Sequence, residues 1–201
     1  MQRLTALIKK IAYFPAEIRD EFFKIIKVMD LLPGEWVPDD LPTGTSIFVE
    51  EGLLSLTTYK DTRWRCTNFY PEGTLAMTYS EGAAEMQEDS CRVRAATPVR
   101  IYYLTPKDRS RVDAIFPSYF LAYTALRSRS YFKHERRTAL FRVPPADRVI
   151  YISIYFPTLL RAPIEDLADF LGLDNEAQKI VLQAIQSIKF SEKGQLSEKH
   201  N

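Results

Sequence analysis

The stretch PIEDLADFLGLDNEAQKIVLQAIQSIKF, residues 163–190, decides how the rest of the chain is read. Ile164, Leu167, Ala168 and Leu171 fall at i, i+3, i+4 and i+7, so a helix opening near Pro163 carries one apolar stripe, and Gly172 is placed to stop it. Asp174 and Asn175 are cap residues for a second helix, along which Ala177, Ile180, Val181, Ala184, Ile185 and Ile188 mark one face. That leaves Asn175, Glu176, Gln178, Lys179, Leu182, Gln183 and Gln186 facing outward. Two short amphipathic helices joined by so tight a turn fit a helix-turn-helix. They also fit an αα-hairpin used only for packing, which is the commoner case on spacing alone.

Composition sets bounds without choosing between these. The chain has 201 residues, 46% hydrophobic and 26% charged, as expected of an ordinary globular protein. A formal net charge of +1 says little, because a basic DNA face balanced by acidic segments gives the same sum. The distribution says more. Arg127, Arg129, Lys133, Arg136, Arg137, Arg142 and Arg148 stand against only Glu135 and Asp147, just before the helix pair, where phosphate contacts are useful. A solvated helix face would have the same charges. Cys66 and Cys91, with no secretory signal and no membrane-length apolar run, lead us to expect free thiols and a cytoplasmic protein without a membrane partner.

Working outward to the N-terminus, Leu4, Leu7, Ile8 and Ile11 predict one amphipathic helix, and Ile18, Phe22, Ile25, Ile26 and Met29 a second, closed at Leu32-Pro33-Gly34. From Trp36 to Leu104, short runs rich in Val, Ile, Thr, Tyr and Phe alternate with turn residues, as in an antiparallel β-roll or barrel. The runs are 46–49, 53–59, 63–69, 92–95 and 99–104, with Lys60-Asp61 a hairpin turn and Pro71-Glu72-Gly73 a break. Residues 106–141 return to helical texture, perturbed near their start by Pro117, with an aromatic load beyond what a solitary surface helix needs. After Val143-Pro144-Pro145, residues 148–160 form a short apolar helix leading into the pair, and a polar tail follows Ser191.

In order, these elements resemble the Crp/Fnr family of bacterial transcription regulators. The resemblance rests on Ile47-Phe48-Val49-Glu50-Glu51-Gly52-Leu53-Leu54, Phe69-Tyr70-Pro71-Glu72-Gly73, Val93-Arg94-Ala95-Ala96-Thr97, and the run from Arg148 through Phe156-Pro157-Thr158-Leu159-Leu160 to Leu173. It implies an α+β chain in three parts. These are a cyclic-nucleotide-binding-like β-roll with N-terminal helices (1–106), a long dimerisation helix (107–141), and a winged helix-turn-helix (142–201). It further implies a homodimer reading a pseudo-palindromic double-stranded operator, under control of a small-molecule effector. The DNA-binding candidates are Asn175, Glu176, Gln178, Lys179 and Gln183, supported by Arg142, Arg148 and Arg161 on phosphates. Family members usually place an arginine in the first turns of the reading helix. Here the matching positions are Lys179 and Ile180.

The effector cassette departs as well. Nucleotide-binding members hold the ribose with Gly-Glu and the phosphate with Arg-Ser or Arg-Thr. The matching positions here are Met77-Thr78 and Asp89-Ser90, and an aspartate in the arginine's place repels a phosphate. Arg92 or Arg94 is the available substitute. Tight binding of cyclic AMP or cyclic GMP is therefore not expected, and the acidic segment 81–89 favours a neutral or cationic ligand. No catalytic residues, metal ligands or cofactor are expected, since His134 and His200 lie in no ligand or catalytic spacing and there is no phosphate loop or nucleophile elbow. The alternative to a regulator is a ligand-binding or scaffolding protein that keeps the shape and has lost DNA binding.

Overall fold

A computed structural model describes residues 2–60, 62–78, 91–173, 176, 179–180, 182–184 and 186, the side chains at 132–134, 136–138 and 145–146 excepted. Helices α1 (Gln2–Ile11) and α2 (Ala16–Ile25) open the chain. Both bury the apolar stripe that their spacing requires, Leu4 and Ile8 on the first and Phe22 and Ile25 on the second. The second helix ends earlier than its apolar periodicity suggests. Ile26 takes an extended conformation, and Met29 belongs to strand β1 (Lys27–Leu31), where pairing with the strand at Val99–Leu104 outweighs helix continuation.

Strands β2 (Ser46–Glu51), β3 (Leu53–Lys60), β4 (Arg63–Pro71), β5 (Leu75–Met77), β6 (Cys91–Ala95) and β7 (Val99–Leu104) complete two antiparallel sheets, ordered β1-β7-β2-β5 and β4-β3-β6. Their inner faces share a core of Ile47, Val49, Leu54, Tyr70, Val93 and Ile101. The β2–β3 turn depends on Gly52. Its φ is +87°, and a Cβ there would lie 2.2 Å from the Pro98 carbonyl oxygen, so no other residue fits. Next to this turn, the buried Glu50 carboxylate accepts from the Arg3 and Leu4 backbone amides at 2.9 and 3.1 Å, tying the N-terminus of α1 to the roll.

The 107–141 segment is two helices rather than one. Thr105 caps α3 (Pro106–Ile115) by accepting from the Asp108 amide at 3.2 Å, and the chain breaks at Phe116-Pro117 before α4 (Tyr119–Thr138). Tyr119, Ala122, Tyr123 and Leu126 of α4 pack with α1, α2 and α3 of the same chain. Phe120 and Leu121, on another face, remain 64% and 62% exposed.

A 3-10 turn (Ala139–Arg142), α5 (Pro145–Tyr155), a second 3-10 turn (Pro157–Arg161) and α6 (Ile164–Leu171) form the C-terminal module. Gly172 ends α6 in the left-handed conformation at φ 63°. Its amide bonds the Asp169 carbonyl and that of Leu173 bonds Ala168, a Schellman closure. Leu167, Ala168 and Leu171 are buried, as the stripe requires. The described residues beyond Leu173 are helical. The tail in which a wing was expected lies outside the described residues.

Candidate effector cavity and nucleic-acid interface

The second helix of the pair is turned relative to the face read from its sequence. Leu182, expected outward, is fully buried among Leu159, Leu160, Leu167 and Leu171. Gln186, also expected outward, donates to the Leu160 and Ala162 carbonyls at 2.8 and 3.1 Å. Ile180 and Ala184, expected inward, are exposed beside Glu176 and Gln183. The physical reason is that Leu182 fills apolar space in the module's floor while the Gln186 amide satisfies two carbonyls there. Lys179 is half-buried and pairs with Glu176 at 2.9 Å. Asn175 and Gln178 lie outside the described residues.

The three supporting arginines differ. Arg142 is exposed. The Arg148 guanidinium donates to the carbonyls of Val143 at 2.9 Å and Leu171 at 2.6 Å, closing α5 onto the end of α6. Arg161 pairs with Glu72 of the roll at 3.0 Å, and Glu72 also holds Arg3 at 2.8 Å.

In the roll, the cassette positions have contacts of their own. The Thr78 hydroxyl donates to the Pro42 carbonyl at 2.8 Å and accepts from the Thr45 amide at 3.0 Å. Strand alternation turns Val93 into the core and both neighbouring arginines outward. Arg92 donates to Asp39 at 2.9 Å and lies 4.4 Å over the Trp36 ring. Arg94 pairs with Asp166 of α6. Burial pushes the Asp166 carboxyl above its ordinary range, Arg94 pulls it back, and Asp169 and Glu165 add to the rise. Neither arginine reaches into the roll, and Asp89 and Ser90 lie outside the described residues.

Two cavities adjoin these residues. One, of about 500 Å³, is lined by Thr78, Cys91, Arg92, Asp39 and Trp64, so its cation is already matched by a carboxylate. The other, of about 430 Å³, lies between the roll and α4. Leu56, Tyr70, Leu75, Ala76 and Met77 give it an apolar wall, with Thr67, Asn68, Arg127, Ser130 and Tyr131 bringing polar groups. Ser130 is occupied, accepting from the Leu75 amide at 2.8 Å and fixing α4 to β5. Asn68 is not. It is 5% exposed, and its Oδ1 is buried without a hydrogen-bond partner. The cleft thus combines an apolar wall with a buried carbonyl oxygen that has no partner in the chain. Sequence reasoning missed it. The available signal was an asparagine, poor in strands, inside an otherwise β-prone run at 64–70.

No protein-family model and no curated protein matches this chain. Solved structures do. The chain is 16% identical to the c-di-GMP-responsive global regulator CLP of Xanthomonas campestris, with a TM-score of 0.56 over 87% of this chain and 93% of that one. It is 14% identical to CprK complexed with OCPA, with a TM-score of 0.52 over 88% of this chain and 87% of that one. The described residues contain no helix long and apolar enough to cross a membrane. At these identities the likeness establishes the fold that the chain shares with these two structures, and no more.

Proposed function

We propose that the protein is a dimeric, DNA-binding transcription regulator whose effector is not a cyclic nucleotide. One observation carries this reading. The helix after Gly172 is anchored on its module by Leu182 and Gln186 and presents Glu176, Ile180 and Gln183 to solvent, as a groove-reading helix must. Its chemistry favours A·T pairs, since Gln183 can bond adenine bidentately and Ile180 can contact a thymine methyl, whereas an arginine would favour guanine. The exposed Arg142 supplies phosphate affinity. In this reading the sensing part is 1–106, the pairing part 107–141 and the DNA-binding part 142–201, with α4 pairing two copies through Phe120 and Leu121. The effector site is the cavity at Asn68, which suits a small, mainly apolar molecule with one hydrogen-bond donor.

Selection of bound fragments from the host genome tests this reading. A specific complex, weakened steeply by salt and by Lys179→Glu, is the expected result. No specific fragment at any salt concentration rejects it. Saturable micromolar binding of cyclic AMP rejects the effector assignment alone.

A second reading, a ligand-binding or scaffolding protein without DNA function, is favoured by a different observation. Lys179 is neutralised by Glu176, and Arg148 and Arg161 are engaged within the chain, so the outward face has little uncompensated positive charge. It predicts a dimer with ligand binding and no operator.

A further inference from the structure

Strand β4 faces both the cavity and the C-terminal module, and a bulge brings Cys66 onto the module side beside Phe69. Leu56 pairs with Asn68 and Thr57 with Cys66, so Thr67 is an extra residue. In a regular strand Cys66 and Phe69 would point to opposite faces. With Thr67 inserted, both point outward into the core that the roll shares with α5 and α6. Between and beside them, Asn68 and Tyr70 line the cavity. The Phe69 ring meets Phe170 of α6 edge-on at 5.2 Å, and Phe170 also meets Phe141 at 6.0 Å. Ion pairs flank this aromatic contact, Arg63 with Asp169 at 2.6 Å and Arg94 with Asp166. Asn68, with its unsatisfied buried oxygen, is therefore the immediate chain neighbour of Phe69, which is wedged against α6.

We propose that β4 transmits the state of the cavity to the helix-turn-helix module. A donor reaching Asn68 Oδ1 fixes the strand at its bulge and holds Phe69 against Phe170. Without one, the strand carries the cost of an unsatisfied carbonyl, and α6 lifts more readily. Calling the module a DNA reader rests on the function proposed above, but the coupling belongs to the single chain. Adjacent side chains on opposite faces share one backbone, so a shift of the strand at its bulge moves both.

Cys66 is the built-in reporter. Its thiol lies beneath the module, and burial pushes it well above its ordinary range, so alkylation requires the module to lift. The rate at Cys66 is read separately from Cys91 by peptide mass spectrometry on the full chain. Asn68→Leu removes the unsatisfied oxygen and fills apolar space, and should slow Cys66 labelling about fivefold while amide exchange in β7 stays unchanged. Asn68→Ala, whose truncated side chain opens onto existing space, should act in the same direction. Phe170→Leu should speed labelling about fivefold and reduce the effect of Asn68→Leu to less than about twofold, because the contact that carries it is gone. Unchanged labelling in both Asn68 variants overturns the proposal, as does an Asn68 effect that persists undiminished with Phe170→Leu. The assay needs no DNA. Coupling without an operator supports β4 transmission and rejects the regulator reading, and an operator without coupling does the reverse.

Discussion

At position 50 a buried carboxylate joins the chain's first helix to its roll, and its titration is readable as stability. Burial pushes the Glu50 carboxyl up, but hydrogen bonds, including those from the Arg3 and Leu4 amides, outweigh it and leave it below its ordinary 4.5. A lowered folded value means stability that is present above the unfolded value and lost as pH falls through the folded one. Glu50→Gln should therefore flatten the loss of stability on acidification below about pH 4.5, measured by denaturant melts across pH. Asp166 has the opposite sign. Raised by burial, its share is present below 3.8 and lost as pH rises through its folded value. Gly172 offers a conformational test. Its φ is +63°, and a Cβ would lie 3.1 Å from Arg148 Nη1, so Gly172→Ala should cost about 1–2 kcal/mol, seen as a lower denaturation midpoint at constant slope.

Among the elements, α4 divides its faces most clearly. Tyr119, Ala122, Tyr123 and Leu126 commit one face to its own subunit, while Phe120 and Leu121 leave two large apolar side chains in solvent. Pro117 matters here, because by breaking the segment it lets α3 pack on the roll while α4 takes its own direction. If α4 is the pairing element, Phe120→Glu should weaken dimerisation at least about tenfold, a cost of about 1.4 kcal/mol or more, without lowering the thermal midpoint of the monomer. Sedimentation over a concentration series measures the first and calorimetry the second. A dimer unaffected by this substitution places the interface elsewhere.

For the molecule as a whole, the question is what holds the helical module on the roll. Its ion pairs to Arg63 and Glu72 are partly exposed, and such pairs contribute at most about 1 kcal/mol each. The shared apolar core, with Leu53, Cys66, Phe69 and Ala96 from the roll against Leu167, Phe170 and Leu171, stabilises the junction more than they do. Phe170→Ala should therefore cost about 3–5 kcal/mol at this junction and split one cooperative unfolding transition into two. Raising the salt concentration should shift the junction far less than that substitution does. Calorimetry of the variant, with the two transitions assigned by amide exchange, is the measurement.

Local periodicity by itself determined the succession of helices, antiparallel roll and further helices and the stop at Gly172, but not strands β1 and β5. The 3.6 and 2.0 residue repeats and the left-handed turn at that glycine are written in neighbouring residues. Only the tertiary structure decided which way the last helix faces. Ile180 and Leu182 are both apolar, and the choice between them depends on a floor built from Leu159, Leu160 and Leu167. It likewise decided the partners of Arg92, Arg94, Arg148 and Arg161, since an arginine's partner is a matter of distances across the fold. The cavity at Asn68 and the bulge at Thr67 were out of reach for the same reason. A strand's pairing register is fixed by its neighbours, and one inserted residue exchanges the two faces without changing the composition.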